Sequence, residues 1–135
     1  MSLVKLIDLP DLSDERGGLV VLESMQSIPF ELKRVYYIFQ NTQNAPRGFH
    51  AHKNLKQVAI CLHGQCRFVL DNGYYKEEII LSSPKKGLLI ESLKWREMHD
   101  FSDDCVLMVL ASEYYDESDY IRDYDEFLKA TKYGI

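Results

Sequence analysis

The sequence predicts an all-β domain, an antiparallel sandwich or barrel with a C-terminal α-helix. Three observations carry this reading. Short β-branched and aromatic runs recur at near-regular spacing through residues 4–112, the pattern of packed sheets rather than of βαβ units. Turn-forming residues punctuate those runs, as in Asp14-Glu15-Arg16-Gly17-Gly18 and Asp71-Asn72-Gly73. Apolar residues recur at helical spacing only near the end, at Tyr120, Ile121, Tyr124, Phe127 and Leu128.

Taken in order, Val4-Lys5-Leu6-Ile7 is a short edge strand, and the turn at residues 14–18 leads into the apolar run Leu19-Val20-Val21-Leu22. Val35-Tyr36-Tyr37-Ile38-Phe39 is expected to be a strand buried on both faces. The polar loop 41–46 feeds the segment Arg47-Gly48-Phe49-His50-Ala51-His52. In the next strand, 57–62, Gln57, Ala59 and Cys61 share one face that suits a cavity wall; Val58, Ile60 and Leu62 share the other. Strands at 66–70 and 74–81 flank Asn72-Gly73, the signal of a tight hairpin. Leu88-Leu89-Ile90, 95–101 and 105–112 complete eight to ten strands. Ser118 or Asp119 is the expected helix N-cap, the acidic run 116–119 a solvated lead-in, and Gly134 the helix stop.

At 135 residues with no linker or repeat, the chain is read as one domain spanning 1–135. No apolar run reaches membrane-span length and no secretion signal is visible, so the expected setting is cytoplasmic and membrane-free. Cys61, Cys66 and Cys105 each sit in an apolar run, as reduced core thiols do. A net charge of -5 without a basic stripe argues against nucleic-acid binding but leaves room for a small anion.

The chemistry gathers at His50 and His52. In an extended strand these side chains point the same way, about 7 Å apart along the chain. Two imidazoles facing one space, with Arg47 just before them, are a proton-transfer pair or half of a metal site.

The spacing His50-x-His52, then Gln57, then Gly64 resembles the first cupin motif, and Pro84-x-x-Gly87 loosely resembles the start of the second. Two departures count against a metal: Gln57 replaces the acidic ligand, and residues 88–94 lack the second motif's histidine. No cofactor is therefore expected. Longer stretches are more specific. Residues 33–39, Pro46-Arg-Gly-Phe-His-Ala-His-Lys53, Trp95-x-Glu-Met-His-Asp-Phe-Ser102 and 109–122 resemble the small cupin 3,4-ketoisomerases of dTDP-4-oxo-6-deoxyglucose, the WxcM-like group. Arg96 is one departure, where some members are expected to carry histidine.

That resemblance implies a small jelly roll and an isomerase that moves a ketone from C4 to C3 of a dTDP-linked hexose. The resemblance further implies a role in the biosynthesis of 3-amino-3,6-dideoxy sugars for surface polysaccharide or S-layer glycan. Imidazoles with an ordinary pKa of about 6.5 suit both proton transfers of an enediol route. The expected catalytic set is His50 and His52, with His52 as the carbon base, and Tyr37 and Arg47 polarising the enediolate. Expected substrate contacts are Arg16 and Arg34 to diphosphate, Tyr36 or Trp95 to thymine, Gln57 to a hydroxyl or a histidine, and His99 in the cavity wall. A homodimer with paired or exchanged N-terminal strands is also implied. The rivals are a deoxysugar 3,5-epimerase, a metal cupin and a non-catalytic nucleotide-sugar binder.

Overall fold

In the computed structural model, which describes residues 2–133, ten strands and one α-helix are found among the described residues. The strands are β1 (Lys5–Asp8), β2 (Arg34–Ile38), β3 (Arg47–His52), β4 (Gln57–His63), β5 (Cys66–Asp71), β6 (Lys76–Leu81), β7 (Lys86–Ile90), β8 (Trp95–His99), β9 (Val106–Ala111) and β10 (Tyr120–Ile121). Helix α1 spans Tyr124–Tyr133. Two five-stranded antiparallel sheets, ordered β1-β7-β4-β9-β2 and β10-β3-β8-β5-β6, face each other as a jelly roll.

Strand alternation divides the molecule into three apolar layers. Between the sheets lie Ala59, Cys61, Phe68, Leu70, Leu88 and Leu107 with their neighbours. The N-terminal segment covers the outside of the first sheet, setting Leu9, Ile28 and Phe30 on Val58, Ile60 and Leu110. Helix α1 covers the outside of the second, setting Phe127 and Ala130 on Ala51 and Trp95. The three cysteines are free and buried, with the Cys61 and Cys105 sulfurs 3.8 Å apart.

Several expected elements differ. β2 is an edge strand rather than one buried on both faces: Val35 and Tyr37 point out at 50% and 63% exposure. The run 19–22 makes only an isolated bridge, Asp11 to Val20, because it packs as a cover rather than as a sheet member. The 71–76 hairpin is a four-residue loop: pairing ends at Asp71 and Lys76, and the Asn72 side chain accepts the amides of Tyr74 and Tyr75. Buried Asp71 explains this, since it accepts the Gly73 amide and the Tyr124 hydroxyl and so holds the loop under α1. Asp116 caps only a 3-10 turn over Glu117–Asp119, Tyr120 and Ile121 pair with β3, and α1 starts at Tyr124 behind Asp123. The expected stop at Gly134 lies outside the described residues. No described helix is long and apolar enough to cross a membrane.

Phe127 is fully buried between Trp95 and Tyr124, with ring centroids 5.7 and 5.8 Å away. Phe127→Ala is expected to destabilise the fold by about 3–5 kcal/mol in urea unfolding, and a loss under about 1 kcal/mol would contradict this packing.

Candidate active site

β3 reaches the site through a deformation. Its register with β8 shifts between Gly48 and His50, Gly48 has φ +92°, and Phe49 is left-handed at φ +59°. A Cβ on Gly48 would lie 2.8 Å from the Arg96 carbonyl oxygen, so the close approach of β3 to β8 requires glycine. The bulge turns the Gly48 carbonyl toward the following imidazole, and His50 Nδ1 donates to it at 3.1 Å. Because a carbonyl only accepts, the proton sits on Nδ1 and His50 Nε2 carries the free lone pair.

His52 lies beside it on the inner face, with ring centroids 5.0 Å apart and planes at 87°. It is fully buried, and its Nδ1 donates to Asp119 Oδ2 at 3.1 Å, while Nε2 is buried without a partner. The Tyr120 ring lies over both, 5.0 Å from His50 and 4.3 Å from His52. Burial, reinforced by the Arg96 charge, pushes His50 down to about 4 and His52 further below its ordinary value. Both rings are neutral near pH 7, and the His52–Asp119 contact is a hydrogen bond of a neutral ring.

Arg96 is 1% exposed and stands on the inner face of β8. It donates to Gln57 Oε1 at 2.5 Å and to the Lys94 carbonyl at 3.3 and 3.1 Å. Burial lowers its pKa to about 10, which still leaves a cation. Gln57 is thereby oriented, and its Nε2 donates to the Tyr36 hydroxyl at 3.1 Å. The phenol is held neutral by burial, which raises its pKa. Arg34 sits over the Tyr36 and Tyr115 rings at 5.5 and 5.8 Å, with its Nε and Nη2 buried and unpartnered. A cavity of about 600 Å³ meets the site at His52 and is otherwise lined by Asn54, Leu55, Tyr115, Asp119 and Tyr120 among others; His50, Tyr36 and Gln57 do not line it.

Sheet phase decides which expected residues meet. His50, His52, Tyr36, Gln57 and Arg34 come together. Tyr37 points outward, so the inward phenol is that of Tyr36, whose hydroxyl accepts from Gln57 and whose ring lies under the Arg34 guanidinium. Gln57 bonds Tyr36 and Arg96, not a histidine. Arg47 is exposed and bonded to neither imidazole. Trp95 is core beneath α1, its indole donating to Glu97. His99, on the same outer face, pairs with Glu97 at 2.9 Å and packs edge-on to Phe49. Arg16 is bound to Asp14 beside a separate pocket. The sequence reading missed three residues: Arg96, Asp119 and Tyr120. The period-two phase of β8 offered a signal for Arg96, whereas the helical spacing at 120–128 concealed the other two.

The donor set does not fit a divalent ion. Among the described residues no three His, Cys, Asp or Glu side chains could hold one, and a buried guanidinium stands beside the two imidazoles.

Fold and site together define a small cupin jelly roll with two imidazoles side by side on its inner face. The FdtA family model, described as WxcM-like, C-terminal, matches residues 2–132, and the chain belongs to that family. It is 57% identical over 125 residues, 93% of this chain and 90% of the relative, to the TDP-4-oxo-6-deoxy-alpha-D-glucose-3,4-oxoisomerase of Aneurinibacillus thermoaerophilus. It superposes with TM-score 0.93 and 46% identity on a mutant of the 3,4-ketoisomerase QdtA of Thermoanaerobacterium thermosaccharolyticum in complex with TDP-4-keto-6-deoxyglucose, covering 98% of this chain and 96% of that one. The TDP-quinovose 3,4-ketoisomerase WlaRB of Campylobacter jejuni gives TM-score 0.90 and 49% identity, covering 96% and 99%.

Gly48→Ala forces a side chain against the Arg96 carbonyl at positive φ. It is expected to lower stability by about 1–3 kcal/mol in chemical denaturation, and wild-type stability would show that the close strand approach is dispensable.

Proposed function

We propose that this protein is a TDP-4-oxo-6-deoxyglucose 3,4-ketoisomerase that works by imidazole acid–base chemistry. The observation that supports it most is the pair of neutral imidazoles, centroids 5.0 Å apart, with the Nδ1 of His50 engaged by the Gly48 carbonyl and the Nε2 of His52 buried without a partner among the described residues. Near relatives carry this activity.

In this reading His50 Nε2 takes the proton from C3, and the electron pair forms the C3–C4 double bond, leaving the negative charge of an enediolate on the C4 oxygen. The neutral Tyr36 phenol, aligned by Gln57, supports that oxygen as charge develops. His52 then carries the C3 hydroxyl proton toward the C4 oxygen, and protonated His50 returns its proton at C4. The sum is a ketone at C3, a hydroxyl at C4 and an unchanged enzyme.

We assign the carbon base to His50 rather than His52 because His50 is less strongly depressed and less deeply buried. A carrier between two oxygens needs less basicity than a base at carbon. Tyr120 covers His52, so its ring must move aside before a hexose oxygen meets Nε2. The orphaned nitrogen favours that exchange, since an unpaired buried acceptor costs roughly 1–3 kcal/mol.

Arg34, with unpartnered guanidinium nitrogens, is our candidate for the diphosphate. Arg16, remote within this chain, would join it only from a second copy in a homodimer; β1, at a sheet edge, and the exposed apolar side of β2 are surfaces such a pairing would use.

Incubation with TDP-4-oxo-6-deoxyglucose in D2O, followed by product NMR, tests this function. A ketone at C3 is expected, with the C4 hydrogen coming from C3 or, where protonated His50 exchanges with solvent before returning it, from D2O; a C4 ketone with exchange at C3 and C5 would mark a 3,5-epimerase. His50→Asn is expected to cut turnover at least about a hundredfold with TDP binding retained, and Tyr36→Phe should be far more damaging than Tyr37→Phe. A base acts when unprotonated, so activity falls as pH drops through the folded pKa of His50. The acid limb of kcat/KM should lie nearer 4 than 6.5, and a limb at 6.5 or above would contradict a buried neutral base.

A further inference from the structure

We infer that Asp119 is a positioning residue for this reaction, which fixes the His52 tautomer and so determines which ring nitrogen carries the proton. The inference rests on the ketoisomerase reading above. Asp119 lies 67 residues from His52 in sequence, and pairing of β10 with β3 brings the two together.

The carboxylate is held from several sides. Besides His52 Nδ1, it accepts the amides of Asn54 at 2.9 Å and Leu55 at 3.2 Å. Its own carbonyl accepts the Lys53 amide at 2.9 Å, and its amide donates to the Asp116 carbonyl at 3.0 Å. With backbone and side chain both tethered, Asp119 cannot follow a proton across the site. A carboxylate presents only acceptors, so a nitrogen facing it must carry hydrogen. The lone pair of His52 is thereby assigned to Nε2, the atom left buried without a partner. While His52 holds a transferred proton it is an imidazolium, and the adjacent carboxylate stabilises that charge. The bond break and formation stay between the substrate oxygens and Nε2, and Asp119 exchanges no proton.

The competing view is that Asp119 merely clamps the turn after β3. Asp119→Asn separates the two. The amide oxygen can still accept a turn amide, whereas its NH2 group facing Nδ1 would donate and drive the ring proton to Nε2. In Asp119→Asn, kcat is expected to fall by about a hundredfold with KM changed by less than about threefold and TDP affinity retained.

Ring-nitrogen NMR of protein labelled with 15N-histidine provides the signature a clamp would not move. In the wild type His52 should show protonated Nδ1 and bare Nε2; in Asp119→Asn the pattern should invert. Near-wild-type kcat in the variant overturns the inference, as does an unchanged tautomer. If the variant does not fold, the wild-type ring spectrum decides: a proton on Nε2 overturns the assignment and a proton on Nδ1 supports it. A wild type that shows the Nδ1 proton yet converts no substrate defeats the ketoisomerase reading while leaving the tautomer assignment standing.

Discussion

A guanidinium sealed inside the sandwich without a carboxylate partner is the constraint on which the site depends. Arg96 is compensated by a neutral amide and a backbone carbonyl. Burying a charge on such terms costs several kcal/mol, and the surrounding fold has to supply that stability. The consequences reach every member of the site. Gln57 must turn its oxygen to Arg96, so its NH2 group faces Tyr36. The imidazoles share space with a fixed positive charge, which adds to burial in keeping them neutral. A second cation is disfavoured for the same reason.

The jelly roll makes this arrangement possible by filling the rest of its interior. Phe68, Leu70 and the thiols of Cys61, Cys66 and Cys105 belong to the packed core between the sheets. Outer faces are equally committed, one to the N-terminal segment and the other to α1. Polar chemistry is therefore confined to the open end, where β2, β3, β4 and β8 present inward side chains and β10 adds Tyr120. A low local dielectric there strengthens each fixed donor and charge.

Much of this was legible from the chain. The strand count, the terminal helix and the convergence of His50 and His52 follow from period-two alternation and turn chemistry. What alternation cannot give is absolute phase at an edge or beside a bulge. That is why the sequence points to Tyr37 rather than Tyr36, and to Trp95 and His99 rather than Arg96, although the residues compared share one short strand in each case. Asp119 was hidden differently. Its neighbours Tyr120, Tyr124 and Phe127 share helical spacing, but pairing with β3 outweighs that local preference and draws residues 120–121 into the sheet. Contacts across 67 residues leave no local trace in a single sequence.

Both imidazoles stay neutral because they are buried beside Arg96. An NMR titration of the His50 and His52 ring nitrogens, in the wild type and in Arg96→Met, reads this out. Wild-type midpoints well below 6.5 are expected for both rings, with a rise for both once the guanidinium is removed. Wild-type midpoints at 6.5 or above, or rings indifferent to Arg96, would contradict it.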